Sequence, residues 1–102
     1  MLAFMARITG EEARTRLESL SGWTLAGDAI TRQFTFAGCP DAGAFIVRLG
    51  FAAEAVDHHP DLLVNYKRVT VTYSTHSEGG LTARDFEGAN SATRIAAEMG
   101  GR

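Results

Sequence analysis

The chain holds three histidines. Two of them stand side by side in the stretch EAVDHHPDLLVNY, Glu54 to Tyr66, and the third, His76, closes a Ser-Thr-His triplet further on. Imidazole has an ordinary pKa of about 6.5, so it can give and take protons near neutrality. The acids Glu54 and Asp57 and the phenol of Tyr66 lie in the first of these segments, and a further acid, Asp85, follows the second. These residue types suit general acid–base chemistry on a small molecule. Other readings stand beside it. Two histidines before a proline can cap a helix C-terminus, where a protonated ring gains about 0.3–1 kcal/mol. Three histidines can hold a catalytic zinc, although adjacent residues seldom both coordinate one ion. Glu54 is an ordinary helical neighbour of His58, one turn earlier. Asp85 fits a capping box, Tyr66 a strand, and Asp57 a helix end where an acid opposes the dipole.

The elements that would carry these residues follow from periodicity. Thr9 to Leu20 predicts a first helix, with Thr9 as its cap, acids in its first turn and Ala13, Leu17 and Leu20 as its buried stripe. Trp23–Leu25 and Ile30–Phe36 predict two strands around the turn AGDA. In the second, Ile30, Phe34 and Phe36 share one face and Thr31, Gln33 and Thr35 the other. Phe45, Leu49, Ala52, Ala53 and Val56 recur at helical spacing, predicting a helix from Asp41 to Asp57 that ends before Pro60. Leu62–Tyr66 and Arg68–Thr75 predict a second hairpin, with Val69, Val71 and Tyr73 towards the core. His76 then continues the opposite row of Thr70, Thr72 and Ser74. The ends of the second helix and the fourth strand could therefore meet at one sheet edge and gather the imidazoles. Thr82 and Asp85 open a third helix with a capping-box pattern.

The order α-β-β-α-β-β-α predicts an α+β sandwich, a four-stranded antiparallel sheet with helices on one face. At 102 residues and 45% hydrophobic, the chain supports one domain with one modest core, residues 1–8 being a loosely ordered lead-in. The uncovered face and edges of so small a sheet predict self-association. A net charge of −2 with interspersed signs carries no basic footprint for direct nucleic-acid binding. One cysteine, Cys39, excludes an internal disulfide and suits a reducing compartment. No apolar run approaches the roughly 20 residues of a membrane span, so a cytoplasmic protein is expected.

These residues together resemble a known family. EAVDHHP (Glu54–Pro60), Tyr66, STH ending at His76 and the acid at Asp85 closely resemble the signature of the pterin-4a-carbinolamine dehydratases, also called dimerisation cofactors of homeodomain transcription factors. GW at Gly22–Trp23, DAI and QF.F between Asp28 and Phe36, and GLTARD at Gly80–Asp85 extend the likeness over Trp23 to Ala97. The resemblance implies the same α-β-β-α-β-β-α order. It also implies loss of water from 4a-hydroxytetrahydropterin to give quinonoid dihydropterin, recycling the cofactor of aromatic amino-acid hydroxylases. Neither a metal nor an organic cofactor is implied.

By that resemblance His58 and His76 are the proton-transfer pair and His59 positions the ring. Asp57 and the segment Ser74, Thr75, His76 and Ser77 line the pterin pocket, with Glu54 orienting His58 and with Tyr66 and Asp85 in support. One departure is visible: Leu62-Leu63 follow Asp61 where many members carry Trp-Phe, which removes an apolar wall. The alternative is a non-enzymatic interaction module on the same scaffold, binding a helical segment of a protein partner. Phe45, Leu49 and Val56 of the second helix would serve that contact or a homodimer or homotetramer. Retention of all three histidines favours the enzyme, because a scaffold has no use for them.

Overall fold

The computed structural model describes residues 6–102. Its elements are α1 (Gly10–Leu17), β1 (Thr24–Ala26), β2 (Ala29–Thr35), α2 (Cys39–Val56), β3 (Asp61–Asn65), β4 (Arg68–Tyr73), a 3-10 turn (His76–Glu78) and α3 (Ala83–Glu98). The α+β order read from periodicity is the order found. The strands form one antiparallel sheet in the order β1-β2-β4-β3. The two hairpins lie side by side because β4 inserts next to β2, leaving β1 and β3 as edges. Residues 1–5 of the expected loose lead-in fall outside the described residues. Further along it, Ile8 donates its N–H to the Leu81 carbonyl at 2.7 Å.

Local chemistry sets each helix end. Thr9 accepts from the Glu12 N–H to cap α1, and α2 begins with Pro40 in its first turn, where the missing N–H has no intrahelical partner to lose. At the other end of α2, Asp57 adopts the left-handed conformation (φ 51°). The N–H of His58 then returns to the Ala53 carbonyl at 3.1 Å. This is a Schellman-type stop, usually built on glycine and tolerated by aspartate. It places the helix end at Val56, a residue earlier than Asp57, and swings the following histidines off the helical spiral.

Alternation along β2 and β4 divides the sheet into two faces. Ile30, Phe34, Val69, Val71 and Tyr73 are buried, and they pack with Phe45 and Leu49 of α2 and Phe86, Ala89, Ala92, Ile95 and Ala96 of α3. Trp23 locks the end of this layer: its ring centroid is 6.1 Å from both Phe34 and Tyr73, and Nε1 donates to Thr93 Oγ1 at 2.8 Å. Among the described residues no helix covers the other face. Across it Thr31 and Thr72 share a hydrogen bond of 3.0 Å. Leu20 and Ala13 of the predicted first stripe are buried. The interaction stripe expected on α2 needs correction. Phe45 and Leu49 are core residues, and the exposed apolar side chains of that helix are Val47, Phe51 and Val56. Helical spacing reports a stripe but not which of two adjacent stripes meets the sheet.

The α3 helix approaches β4 closely because its inner positions are small. A Cβ added at Gly88 would fall 2.4 Å from Tyr73 Cε1. Replacing a mid-helix glycine by alanine ordinarily gains about 1 kcal/mol of helix propensity. Overpacking a core costs about 1–3 kcal/mol, and at this distance a ring that is itself buried must move. Gly88→Ala is therefore expected to destabilise on balance, lowering the melting temperature by several degrees (about 4–8 °C per kcal/mol in a domain of this size) in a thermal scan.

Candidate active site

The two adjacent histidines leave the Asp57 turn in different directions and meet different carboxylates. His58 turns beneath the sheet, where its ring stacks on Tyr73 at 5.9 Å and 19°. Its Nε2 lies 2.6 Å from Asp85 Oδ1. Asp85 is fully buried, and its Oδ2 accepts from Thr75 Oγ1 at 2.8 Å and from the Thr82 N–H at 2.9 Å. An ionised carboxylate only accepts, so His58 Nε2 carries the proton in that bond. His59 stays at the surface, with Nε2 2.7 Å from Glu54 Oε1.

This pairing corrects one expectation. Glu54 meets His59 and not His58, because the left-handed Asp57 takes His58 out of the i+4 position that a continued helix would give it. The exposed His59–Glu54 pair contributes at most about 1 kcal/mol. The buried His58–Asp85 pair ties two distant segments together.

His76 lies on the other face. The strand ends at Tyr73, and Thr75 and Gly80 exchange backbone hydrogen bonds of 3.0 and 3.3 Å. They close a short loop in which His76 opens the 3-10 turn and left-handed Gly79 (φ 70°) ends it. His76 is exposed and lines a hollow of about 330 Å³ together with Asp28, Asp61, Thr72 and Ser74. Ser74 Oγ donates to the Asp28 carbonyl at 3.1 Å, which fixes the wall between the β1–β2 turn and β4.

A second cavity, of about 70 Å³, lies between α2 and α3 and is lined by His58, Tyr73, Leu49 and Val56, with Arg84 at its edge. There the Arg84 guanidinium donates to the Val56 carbonyl at the end of α2. Small-molecule sites usually need about 300–1,000 Å³. The hollow at His76 reaches that size and the cavity at His58 does not.

The three imidazoles thus do not gather in one cavity: His58 belongs to the helix face and His76 to the open face. The hollow still reaches the histidine bend through Asp61, next to Pro60. Other expected pocket residues sort by the same alternation. Ser74 lines the hollow. Thr75 is buried, its hydroxyl held by Thr82 and Asp85 and its backbone by Gly80, so it cannot offer those groups to a ligand in the hollow. Ser77 is exposed on the 3-10 turn and Asp57 at the helix stop, and neither is among the lining residues. Tyr66 is 80% exposed in the β3–β4 turn, at the end of the hairpin remote from His59. Asp28, Asp61 and Thr72 were not singled out from the sequence. The register pair Asp61–Thr72 was the signal, and it required knowing which strands are neighbours. Among the described residues no three His, Cys, Asp or Glu side chains are gathered closely enough to hold a metal ion.

The fold and this geometry define a class: a small α+β protein with an imidazole and carboxylates around a hollow on the open face of its sheet. Comparison with known proteins makes that specific. Residues 6–95 match the family model described as pterin 4 alpha carbinolamine dehydratase. The chain is 40% identical over 96 residues to a protein of Rhodopseudomonas palustris (strain HaA2), covering 92% of this chain and 95% of that protein. It is 42% identical over 81 residues to one of Roseiflexus sp. (strain RS-1), covering 79% and 87% respectively. Both relatives are provisionally named pterin-4-alpha-carbinolamine dehydratase. The crystal structure of a transcriptional coactivator/pterin dehydratase from Brucella melitensis matches with a TM-score of 0.85 and 39% identity, over 88% of this chain and 98% of that one. The chain belongs to the pterin 4 alpha carbinolamine dehydratase family.

Two predictions follow from the buried contacts. Removing the acceptor in Asp85→Ala takes away the bond to the His58 ring and those to the Thr75 hydroxyl and the Thr82 amide, and breaking such a buried pair costs about 3–5 kcal/mol. Chemical denaturation should show that loss, with a smaller one for Asp85→Asn. Burial, and then the charge of Asp85, push the Tyr73 phenol up to about 12. The unfolded chain ionises this group near 10, so its contribution to stability is complete below pH 10 and falls as pH rises from about 10 to 12. Melting temperatures measured from pH 9 to 12 should fall less steeply in Tyr73→Phe.

Proposed function

We propose that this protein dehydrates a 4a-hydroxytetrahydropterin to the quinonoid dihydropterin, recycling the pterin used by aromatic amino-acid hydroxylases. The observation that carries the reading is His76 opening, beside Asp61 and Ser74, onto a ligand-sized hollow in a chain of this family. In the reaction the C4a–O bond breaks as the N5 lone pair forms a C4a–N5 double bond. Hydroxide is a poor leaving group, so an acid must protonate it to water. A base then removes a ring N–H proton, and the two transfers balance. Positioned groups of this kind contribute about 10²–10⁴-fold.

We assign one transfer to His76, at the hollow. The other falls to His59, whose ring is exposed, oriented by Glu54, and only two residues from Asp61. Two residues of extended chain span at most about 7 Å. His58 remains part of the machinery, but through Asp85: with Nε2 engaged in a buried bond, it holds the bend against the His76 loop. This changes the pairing of His58 with His76 drawn from the family resemblance. Ser74 forms part of the wall of the hollow, and Asp57 sets the turn from which the two histidines leave.

A second reading has its own support. Phe51 is 76% exposed on α2, and the Brucella melitensis protein is described as a coactivator as well as a dehydratase. On that reading the α2 surface holds a protein partner, or further copies of this chain in a dimer or tetramer.

The test follows the decay of freshly generated 4a-hydroxytetrahydropterin with and without protein. Wild type is expected to accelerate it. His76→Ala and His59→Ala should each lower kcat by about 10²–10⁴-fold. His58→Ala should lower it less, and should also lower the melting temperature. A larger kcat loss for His58→Ala than for His59→Ala would restore the His58–His76 pair. No acceleration over buffer would leave the interaction module.

A further inference from the structure

The hollow beside His76 contains two carboxylates that the proton transfers do not use. Asp61, the first residue of β3, stands opposite Thr72 in the register and so projects onto the open face with it. Asp28 lies across the hollow on the β1–β2 turn. Each has an alternative to explain away. Asp28 is tied to the wall through its own carbonyl, which accepts from Ser74 Oγ, and it also borders a neighbouring hollow with Arg7 and Thr9. Asp61 has no hydrogen-bond or ion-pair partner for its carboxylate among the described residues, and it begins an edge strand that needs no acid there. With its partner strand on one side and His76 in the same hollow, it is an acceptor presented to whatever enters.

We propose that Asp61 is the specificity-determining residue of this site, its carboxylate accepting from the N–H edge of the substrate's 2-amino-4-oxopyrimidine ring. The proposal rests on the dehydratase reading and names which part of the substrate the hollow recognises. The chemistry is a shape match. In that ring N3–H and the 2-amino group point the same way, side by side, as the two N–H groups of a guanidinium do. A carboxylate takes such a pair through both oxygens, which adds orientation to attraction. Fixing the pyrimidine edge at Asp61 would leave the other ring, with C4a and N5, to face His76. The hydroxyls of Thr72 and Ser74 are already hydrogen-bonded within the protein, so the carboxylates of Asp61 and Asp28 are the acceptors left in the lining, and of the two only Asp61 is set on the open face by strand register. Hydrogen bonds to a charged group contribute more than neutral ones, and losing a bidentate pair should cost about 10–100-fold in affinity.

The experiment compares wild type, Asp61→Asn and Asp61→Glu in binding two oxidised, stable probes: pterin, and 2,4-dioxopteridine, which has an oxygen in place of the 2-amino group. Wild type should prefer pterin by about tenfold or more. Asp61→Asn should lose about 10–100-fold for pterin and little for the dioxo compound, so that the preference disappears. Asp61→Glu should restore part of it. In the dehydration assay Asp61→Asn should raise KM far more than it lowers kcat. Equal preference in wild type, or a preference that survives in Asp61→Asn, would overturn the assignment. An active wild type with unchanged Asp61→Asn kinetics would sink this inference alone. A wild type that discriminates between the probes but does not accelerate dehydration would sink the proposed reaction and leave the recognition standing.

Discussion

The carboxylate of Asp85 is the point on which this architecture turns. It is fully buried, and a buried charge is tolerated only when its acceptor sites are filled. Here three segments fill them: the bend after α2 through His58, the loop after β4 through Thr75, and the start of α3 through the Thr82 amide. One side chain thus serves as the capping-box acid of α3 and as the joint between the two stretches that carry the histidines. Neither stretch is held by a regular element at that position. Without this joint the bend and the loop would be two separate surface segments.

The sheet separates structural from chemical work by alternation. Ile30 and Phe34 of β2 and Val69, Val71 and Tyr73 of β4 turn to the helices and are buried, with half-buried Arg32 the exception in that row, and the alternate residues remain on a face that no helix among the described residues covers. Thr75 and His76 illustrate the division. They are neighbours, yet one is buried in the Asp85 network and the other opens onto the hollow. His58 and His59 at the bend divide in a related way, one joined to Asp85 and the other at the surface with Glu54. A carboxylate-bound imidazole under the helices can stiffen the site because its partner is dry.

Much of this was legible in the sequence. Periodicity is a local property, and helices of 16 and 18 residues, one opened by a capping box and the other by a proline in its first turn, announce themselves. The buried row Val69, Val71 and Tyr73 and the capping box of α3 were read correctly for the same reason. The site was legible in its residue types but not in its pairings. Glu54 and His58 are four apart, so a helical rule joins them, and a single left-handed residue between them cancels the rule. Asp61 was passed over although it directly follows Pro60, because chain adjacency to the histidines does not show what the side chain faces. Its neighbours in the hollow, Asp28, Thr72 and His76, come from other elements.

By itself, then, the order of amino acids determined the element types, their order, the caps and the two faces of each strand, since each depends on residues within a turn or two. The tertiary structure alone decided which acid meets which histidine, which stripe of α2 is exposed, and where a cavity large enough for a ligand opens. Those outcomes depend on β4 pairing with β2 and on the direction the chain takes at Asp57. The first is a long-range contact, and the second is one backbone torsion that aspartate permits but does not announce.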